Sequence, residues 1–369
     1  MSPGLEIQLI AVFVAVASAL PGVFLVLRKM SMMSDSITHT ILLGIVLAFF
    51  LTQDLSSPIL IVGAALMGVI TVWLTETLNR TRLFAEDAAI GLVFPLLFSI
   101  AIILITRYAG SVHLDTDSVL LGELAFAPFD RMIVGGVDIG AKALYTTGIL
   151  LFMNLAAILL FCKELEVSTF DPMLAAVLGF SPGLVHYGLM TLVSLTAVGS
   201  FQAVGSVLVV AFMIGPPVTA YLLTDNLKRM LWLSGLIGAF NGIAGYHLAV
   251  WLDVSIAGSM AVMTGFVFFL VFLFAPSRGL VRTLTLRKKQ RLEFAEKALL
   301  FHLLNNETER EEQTAVASVS GQLRWNQNFT EKILNRLLKS GCIQIQSDVI
   351  VLTPHGLNQS RKEYQELFA

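Results

Sequence analysis

The chain has 369 residues, of which 56% are hydrophobic and 14% charged, and a formal net charge of -2. With a mean hydropathy of +0.79 it is far too apolar for a soluble domain of this size, which leaves a polytopic membrane protein. Two cysteines, Cys162 and Cys342, lack metal-type spacing and are too few for a disulfide framework.

About 20 apolar residues are needed to cross the hydrocarbon core. Runs of that kind lie near 6–27, 37–52, 58–78, 88–107, 143–162, 184–199, 203–223, 230–251 and 255–275, predicting nine transmembrane helices. The first run carries a signal-like Ala17-Ser18-Ala19. Nothing basic precedes it and Glu6 stands in its head, so it reads as a retained span.

In the second run, Asp35 and His39 stand one helical turn apart within Met32–His39, just before Ile41–Leu51. An i, i+4 pair shares a helix face, so a carboxylate oxygen and an imidazole nitrogen can meet at one point, an arrangement suited to a divalent metal. Ionisable groups at a membrane boundary also occur hydrated among headgroups, and burial depth separates the two readings.

The stretch 108–142 between the fourth and fifth spans holds His113, Asp115, Asp117 and Glu123 and reads as a solvated acidic loop. Between the fifth and sixth spans, Phe170-Asp171-Pro172 opens a short amphipathic helix, set against the reading of an ordinary interfacial connector that composition alone favours slightly. Asp171 is its cap, Pro172 its first residue, Leu174 and Leu178 its apolar positions and Gly179 its stop. Gly215-Pro216-Pro217 interrupts the seventh span, where proline removes backbone hydrogen bonds and predicts a kink. His247 in the eighth span is a further candidate ligand, set against the commoner role of a helix-bridging histidine.

Arg28, Lys29, Arg80, Arg82, Lys163, Lys228, Arg229 and the Arg278–Arg291 cluster fall on one side if nine spans alternate. By the positive-inside rule that side is cytoplasmic, with the N-terminus outside and the C-terminus inside. Residues 1–280 then form a transmembrane domain and residues 281–369 a cytoplasmic α+β domain. Val316–Trp325, a turn at Asn326–Asn328, Phe329–Leu338, strands at Cys342–Ile345 and Val349–Leu352, and a final helix give the order of a winged helix. From Arg291 onward it carries nine Lys/Arg against ten Asp/Glu, a balance that does not favour DNA binding.

Across nearly all of residues 5–276 the chain resembles the membrane permeases of bacterial ABC importers for manganese, zinc or iron. The resemblance rests on Met33–Leu43 with Asp35 and His39, Glu86-Asp87-Ala88-Ala89-Ile90-Gly91, Val119-Leu120-Leu121-Gly122, Phe170-Asp171-Pro172 with its helix, and Ala203-Val204-Gly205 through Pro216 to Ala220. Leu43-Gly44 and Pro216-Pro217 replace the family's usual Pro-Gly and Pro-Ala. The tail resembles the winged-helix part of metal-dependent repressors, in Leu334–Gly341 and Leu352–Leu357, without a paired metal-ligand motif.

The resemblance implies a type II importer fold and a divalent cation as transported substrate, with no resident cofactor. It places Asp35 and His39 on the cation path and Phe170–Gly179 against a separate cytoplasmic ATP-binding subunit. Other implied partners are an extracytoplasmic metal-binding protein, a second permease subunit, identical or not, and membrane lipid, in a bacterial inner membrane. No Gly-x4-Gly-Lys-Ser/Thr loop occurs, so the chain is expected to be a transport subunit rather than the ATPase itself. A membrane-tethered regulator and an ion-coupled secondary carrier are the competing classes.

Overall fold

The computed structural model describes residues 2–54, 57–108, 124–134, 137–276, 278–305, 316–346 and 349–368. Contacts divide the chain into two compact units, residues 1–279 and 280–369.

The first unit is helical. Among the described residues it contains nine helices long and apolar enough to cross a membrane. Four come first: α1 (Pro3–Leu27), α2 (Ser31–Thr52), α3 (Ile59–Arg80) and α4 (Glu86–Tyr108). An antiparallel hairpin follows, β1 (Arg131–Val134) and β2 (Val137–Ala141). Then come α5 (Lys142–Leu160), α6 (Cys162–Phe170), α7 (Pro172–Val177), α8 (Pro182–Val204), α9 (Ser206–Leu223), α10 (Leu227–Leu252) and α11 (Ile256–Phe274). Only α6 and α7 are too short to span.

Helix α1 is the most enclosed of the nine and packs against α5, α8, α9 and α10. Its sequence explains this, because Ala11, Ala15, Ala17, Ser18, Ala19 and Gly22 are small and let neighbours approach closely. At Gly22 a Cβ would run into the Met213 carbonyl of α9. Buried Asn154 of α5 ties the bundle, donating to the Ala17 carbonyl at 2.9 Å and to Thr196 Oγ1 of α8 at 2.8 Å. In hydrocarbon such an amide is tolerated only when its partners lie within the protein.

Helices α2, α3 and α4 pack on one another, and α8 joins them to the rest. Gly44 of α2 faces Gly63 of α3 so closely that either Cβ would collide with the other backbone. Thr71 donates to Thr40 between the same helices at 2.8 Å. The second span is 22 residues long because its helix begins at Ser31, ahead of the apolar run that marks it in sequence. Helix α9 continues through Pro216 and Pro217, both buried. The break falls earlier, at Gly205 with φ +78°, where α8 ends and α9 begins.

The hairpin, not foreseen in the sequence, is anchored by charge. Arg131 Nη1 stands 3.0 Å from both carboxylate oxygens of Glu6, which is only 3% exposed, and Arg131 Nε donates to Asp138 at 2.8 Å. Residues His113, Asp115, Asp117, Val119–Gly122 and Glu123 lie outside the described residues.

The second unit comprises α12 (Leu280–Asn305), α13 (Val316–Gln322), α14 (Gln327–Lys339), the antiparallel pair β3 (Ile343–Gln346) and β4 (Val349–Leu352), and α15 (Pro354–Phe368). Its core joins Leu299, Leu303, Ile333, Leu337, Ile343 and Ile350. Asn326 caps α14, and Gly341, with φ +70°, turns the chain into β3.

Candidate functional site

Helix α2 buries nearly its whole first half. Met33, Ser34, Ser36, Ile37, Thr38, Thr40 and Ile41 are all enclosed, which leaves a stripe of Met32, Asp35 and His39 partly open. The helix needs no side-chain cap at Met30, yet Ser34 and Thr38 return hydroxyl hydrogen bonds to the carbonyls of Ser31 and Asp35 at 2.8 and 2.7 Å. These bonds satisfy polar groups locally and leave the Asp35 carboxylate uncommitted to backbone.

Asp35 Oδ1 stands 3.6 Å from His39 Nε2, with the side chains 44% and 23% exposed respectively. The His39 ring packs beside Phe94 and Phe98 of α4, with ring centroids 5.2 and 5.7 Å away. Those rings fix the imidazole plane while its nitrogen stays at the open face. Carboxylate oxygen and imidazole nitrogen are both suited to first-row divalent cations. Among the described residues no group of three or more His, Cys, Asp or Glu side chains is gathered for a metal, and the pair itself supplies one carboxylate and one imidazole.

His247 does not join them. It is exposed on α10, a helix packed against α1, α9 and α11, and its ring contact among the described residues is with neighbouring Tyr246, 5.5 Å between centroids.

The Phe170–Gly179 segment takes the form its residues specify. Asp171 accepts from the Leu174 amide at 2.9 Å, and Pro172 occupies the first helical position. At the far end Phe180 N–H reaches the Ala175 carbonyl at 3.0 Å and Gly179 N–H the Ala176 carbonyl at 3.1 Å, with Gly179 at φ +87°. That is the paired closure of a Schellman motif. One face, at Ala175, is buried, while Phe170, Met173, Leu174, Val177 and Leu178 are exposed.

A second polar cluster lies beside α7. Glu76 of α3 meets His186 of α8 at 2.7 Å, a close contact off the line of a well-formed hydrogen bond. Tyr187 donates to Glu76 at 2.7 Å, Arg80 lies 3.7 Å from it, and Arg28 at the end of α1 reaches His186 Nδ1 at 3.3 Å. Arg28 also donates to Thr169 and Ser168 at 3.1 and 3.4 Å. Burial pushes the Arg28 guanidinium below its ordinary pKa. Sequence reasoning passed over this group, although an acid and a histidine inside predicted spans were the signal that could have revealed it.

Nine helices of membrane-spanning length among the described residues, with a short capped helix exposed between the fifth and sixth, define a multi-pass membrane protein. The model of the ABC 3 transport family matches residues 5–275, and the chain belongs to that family. It is 45% identical to the zinc transport system membrane protein TroD of Treponema pallidum (strain Nichols) over 96% of this chain and 97% of that one. To the manganese transport system membrane protein MntD of Bacillus subtilis (strain 168) it is 46% identical, over 76% of this chain and 96% of that one. Among solved structures, PsaBC from Streptococcus pneumoniae in complex with Fab superposes with a TM-score of 0.64 at 28% identity, covering 78% of this chain and 96% of that one.

Proposed function

We propose that the chain is the membrane-spanning subunit of an ATP-driven importer that moves a divalent transition-metal cation, manganese or zinc, into the cytoplasm. The observation that carries this reading is the Asp35–His39 pair on the partly open stripe of the buried first half of α2, in a chain of the ABC 3 transport family. The zinc and manganese systems named for its relatives support the cargo class.

Asp35 and His39 bind the cation in passing through a carboxylate oxygen and a neutral imidazole nitrogen. Two donors are too few to retain a cation, which suits a site that must release it. His247 contributes nothing to that site. An extracytoplasmic metal-binding protein delivers the cation, and a second permease subunit completes the path. Asp35 and His39 lie four and eight residues into α2, about 6 to 12 Å along the helix, toward the end that also carries Arg28 and α7.

ATP hydrolysis belongs to a separate subunit that receives α7. Five exposed apolar side chains on and beside a capped helix support this reading, because water does not favour such a surface left uncovered. The positive side, with the C-terminus, is cytoplasmic. The second unit is a winged-helix module whose near-even charge suits protein contacts better than DNA.

The test is ATP-dependent uptake of manganese and zinc by proteoliposomes containing the whole complex. Leu174→Asp with Leu178→Asp should leave insertion intact and abolish the ATP-dependent component. Undiminished uptake by this double variant would remove α7 from the coupling role.

A further inference from the structure

Arg28 is a half-buried cation without an anion. Its three side-chain hydrogen bonds among the described residues go to Thr169 Oγ1, Ser168 Oγ and His186 Nδ1, all uncharged acceptors, which uses three of the five N–H groups a guanidinium carries. Among the described residues no carboxylate pairs with it, and Glu76 lies behind the far side of the His186 ring. The carbonyl end of α1 supplies only a partial negative charge. A desolvated charge left in that condition is costly.

The position is also a groove. Arg28, Lys29, Ser168, Thr169, Pro172 and His186 line it, and no acidic side chain is among its walls. Lys29 is exposed, is held beside Arg28 by a left-handed backbone at φ +62°, and forms no side-chain hydrogen bond or ion pair among the described residues. Two cations and two hydroxyls therefore converge on one open depression at the foot of α7, next to the exposed Phe170 and Met173.

We infer that this groove receives a carboxylate side chain of the ATP-binding subunit, clamped by Arg28 and Lys29 when that subunit seats on α7. The geometry of a guanidinium fork matches a carboxylate better than any neutral group. The choice of occupant follows from place: the depression shares Pro172 with α7 and opens beside its apolar face. The inference rests on the reading of α7 as the docking helix.

Seating has an internal consequence. Arg28 can only donate, so His186 accepts at Nδ1 and carries its proton on Nε2, toward Glu76. A carboxylate that draws the Arg28 guanidinium outward weakens its hold on His186, and thereby changes the contact between α8 and α3. The docking event reaches two transmembrane helices through one shared side chain.

The test is binding of the ATP-binding subunit to the full-length permease in nanodiscs of zwitterionic lipid. Lys29 is exposed and forms no side-chain hydrogen bond or ion pair among the described residues, so Lys29→Glu probes the groove with little disturbance to the fold, and should weaken binding by about tenfold at low salt. Lys29→Arg should bind as the parent does, and the difference should shrink at about 0.5 M salt, where the screening length falls to a few ångströms. Parental affinity for Lys29→Glu, alongside lost binding by Leu174→Asp/Leu178→Asp, overturns the groove and leaves α7 in place. Parental affinity for both variants removes the docking helix as well. A Lys29→Glu defect that emerges only with anionic lipid assigns the groove to lipid phosphate and overturns the carboxylate.

Discussion

The membrane unit contains the same pair of functional groups twice, a carboxylate against an imidazole, and the two copies are surrounded very differently. Asp35 and His39 have each other at 3.6 Å, two phenylalanine rings and an open face. Glu76 and His186 are met by Tyr187, Arg80 and, through the ring, Arg28. Arg80 and the Tyr187 hydroxyl already meet the Glu76 carboxylate and Arg28 takes the His186 Nδ1 lone pair, whereas no arginine stands against Asp35 or His39 among the described residues. Residue type at a given spacing does not define a cation site. The neighbouring charges do.

The largest effect should follow from emptying the open pair. On the proposed reading, Asp35→Asn removes one unit charge from contact with the cargo. Even between two unit charges 4 Å apart at an intermediate effective dielectric the interaction is about 4 kcal/mol, and the cargo is divalent, so apparent affinity for transported metal should fall by a factor of at least about 100 to 1000. His39→Ala should act in the same direction with a smaller loss, since imidazole is neutral. Asp35→Asn should leave thermal stability unchanged, since that side chain is 44% exposed, whereas His39→Ala also gives up ring packing against Phe94 and Phe98. Uptake at parental rate and affinity in both variants, at matched insertion, would make these residues hydrated bystanders.

Glu76→Gln should give the opposite pattern. It leaves Arg80 and the Tyr187 hydroxyl facing a neutral amide at a site only 22% exposed, and should cost about 2 kcal/mol of stability, below the range for a fully buried broken pair. The thermal midpoint of the detergent-solubilised protein should fall while metal affinity stays within about twofold of the parent, a change of less than 0.5 kcal/mol. Lost metal affinity with unchanged stability would erase the distinction between the two pairs.

The nine spans were legible because each is a run of apolar residues of membrane length, and such a signal needs no knowledge of neighbours. Asp171, Pro172 and Gly179 were legible for a similar reason: capping is local, and the capping partners all lie between Asp171 and Phe180. Asp35 and His39 could be paired by helical spacing, but their open stripe could not be seen, since it depends on which faces α3, α4, α8 and α9 cover. Glu76 and His186 are 110 residues apart, and nothing along the chain announces that α3 and α8 meet there. Glu6 and Arg131 escaped for the same reason, with the added difficulty that the hairpin carrying Arg131 has no strong strand alternation.

The smallest effect expected concerns that hairpin and bears on whether surface charge, like the charge beside Glu76, organises structure. Asp138 accepts from Arg131 and from the Gly140 amide at 2.9 Å, and the arginine hydrogen bond holds its carboxyl below the ordinary carboxylate value, with the Gly140 bond second. The same contacts with Asp138 and Glu6 raise Arg131, which stays protonated throughout. For a carboxyl depressed in the folded state, the stabilisation is present above its unfolded pKa and is lost as pH falls through the folded value. Hairpin order should therefore be constant through neutrality and decline only on the acid side of the ordinary aspartate range. Amide exchange at Ile133 and Ile139 reads this directly, and Asp138→Asn should flatten the profile while exchange at neutral pH quickens slightly. Since the pair is exposed, the change should be local and leave transport untouched; an acid dependence that survives in Asp138→Asn would move the responsible charge to the buried Glu6.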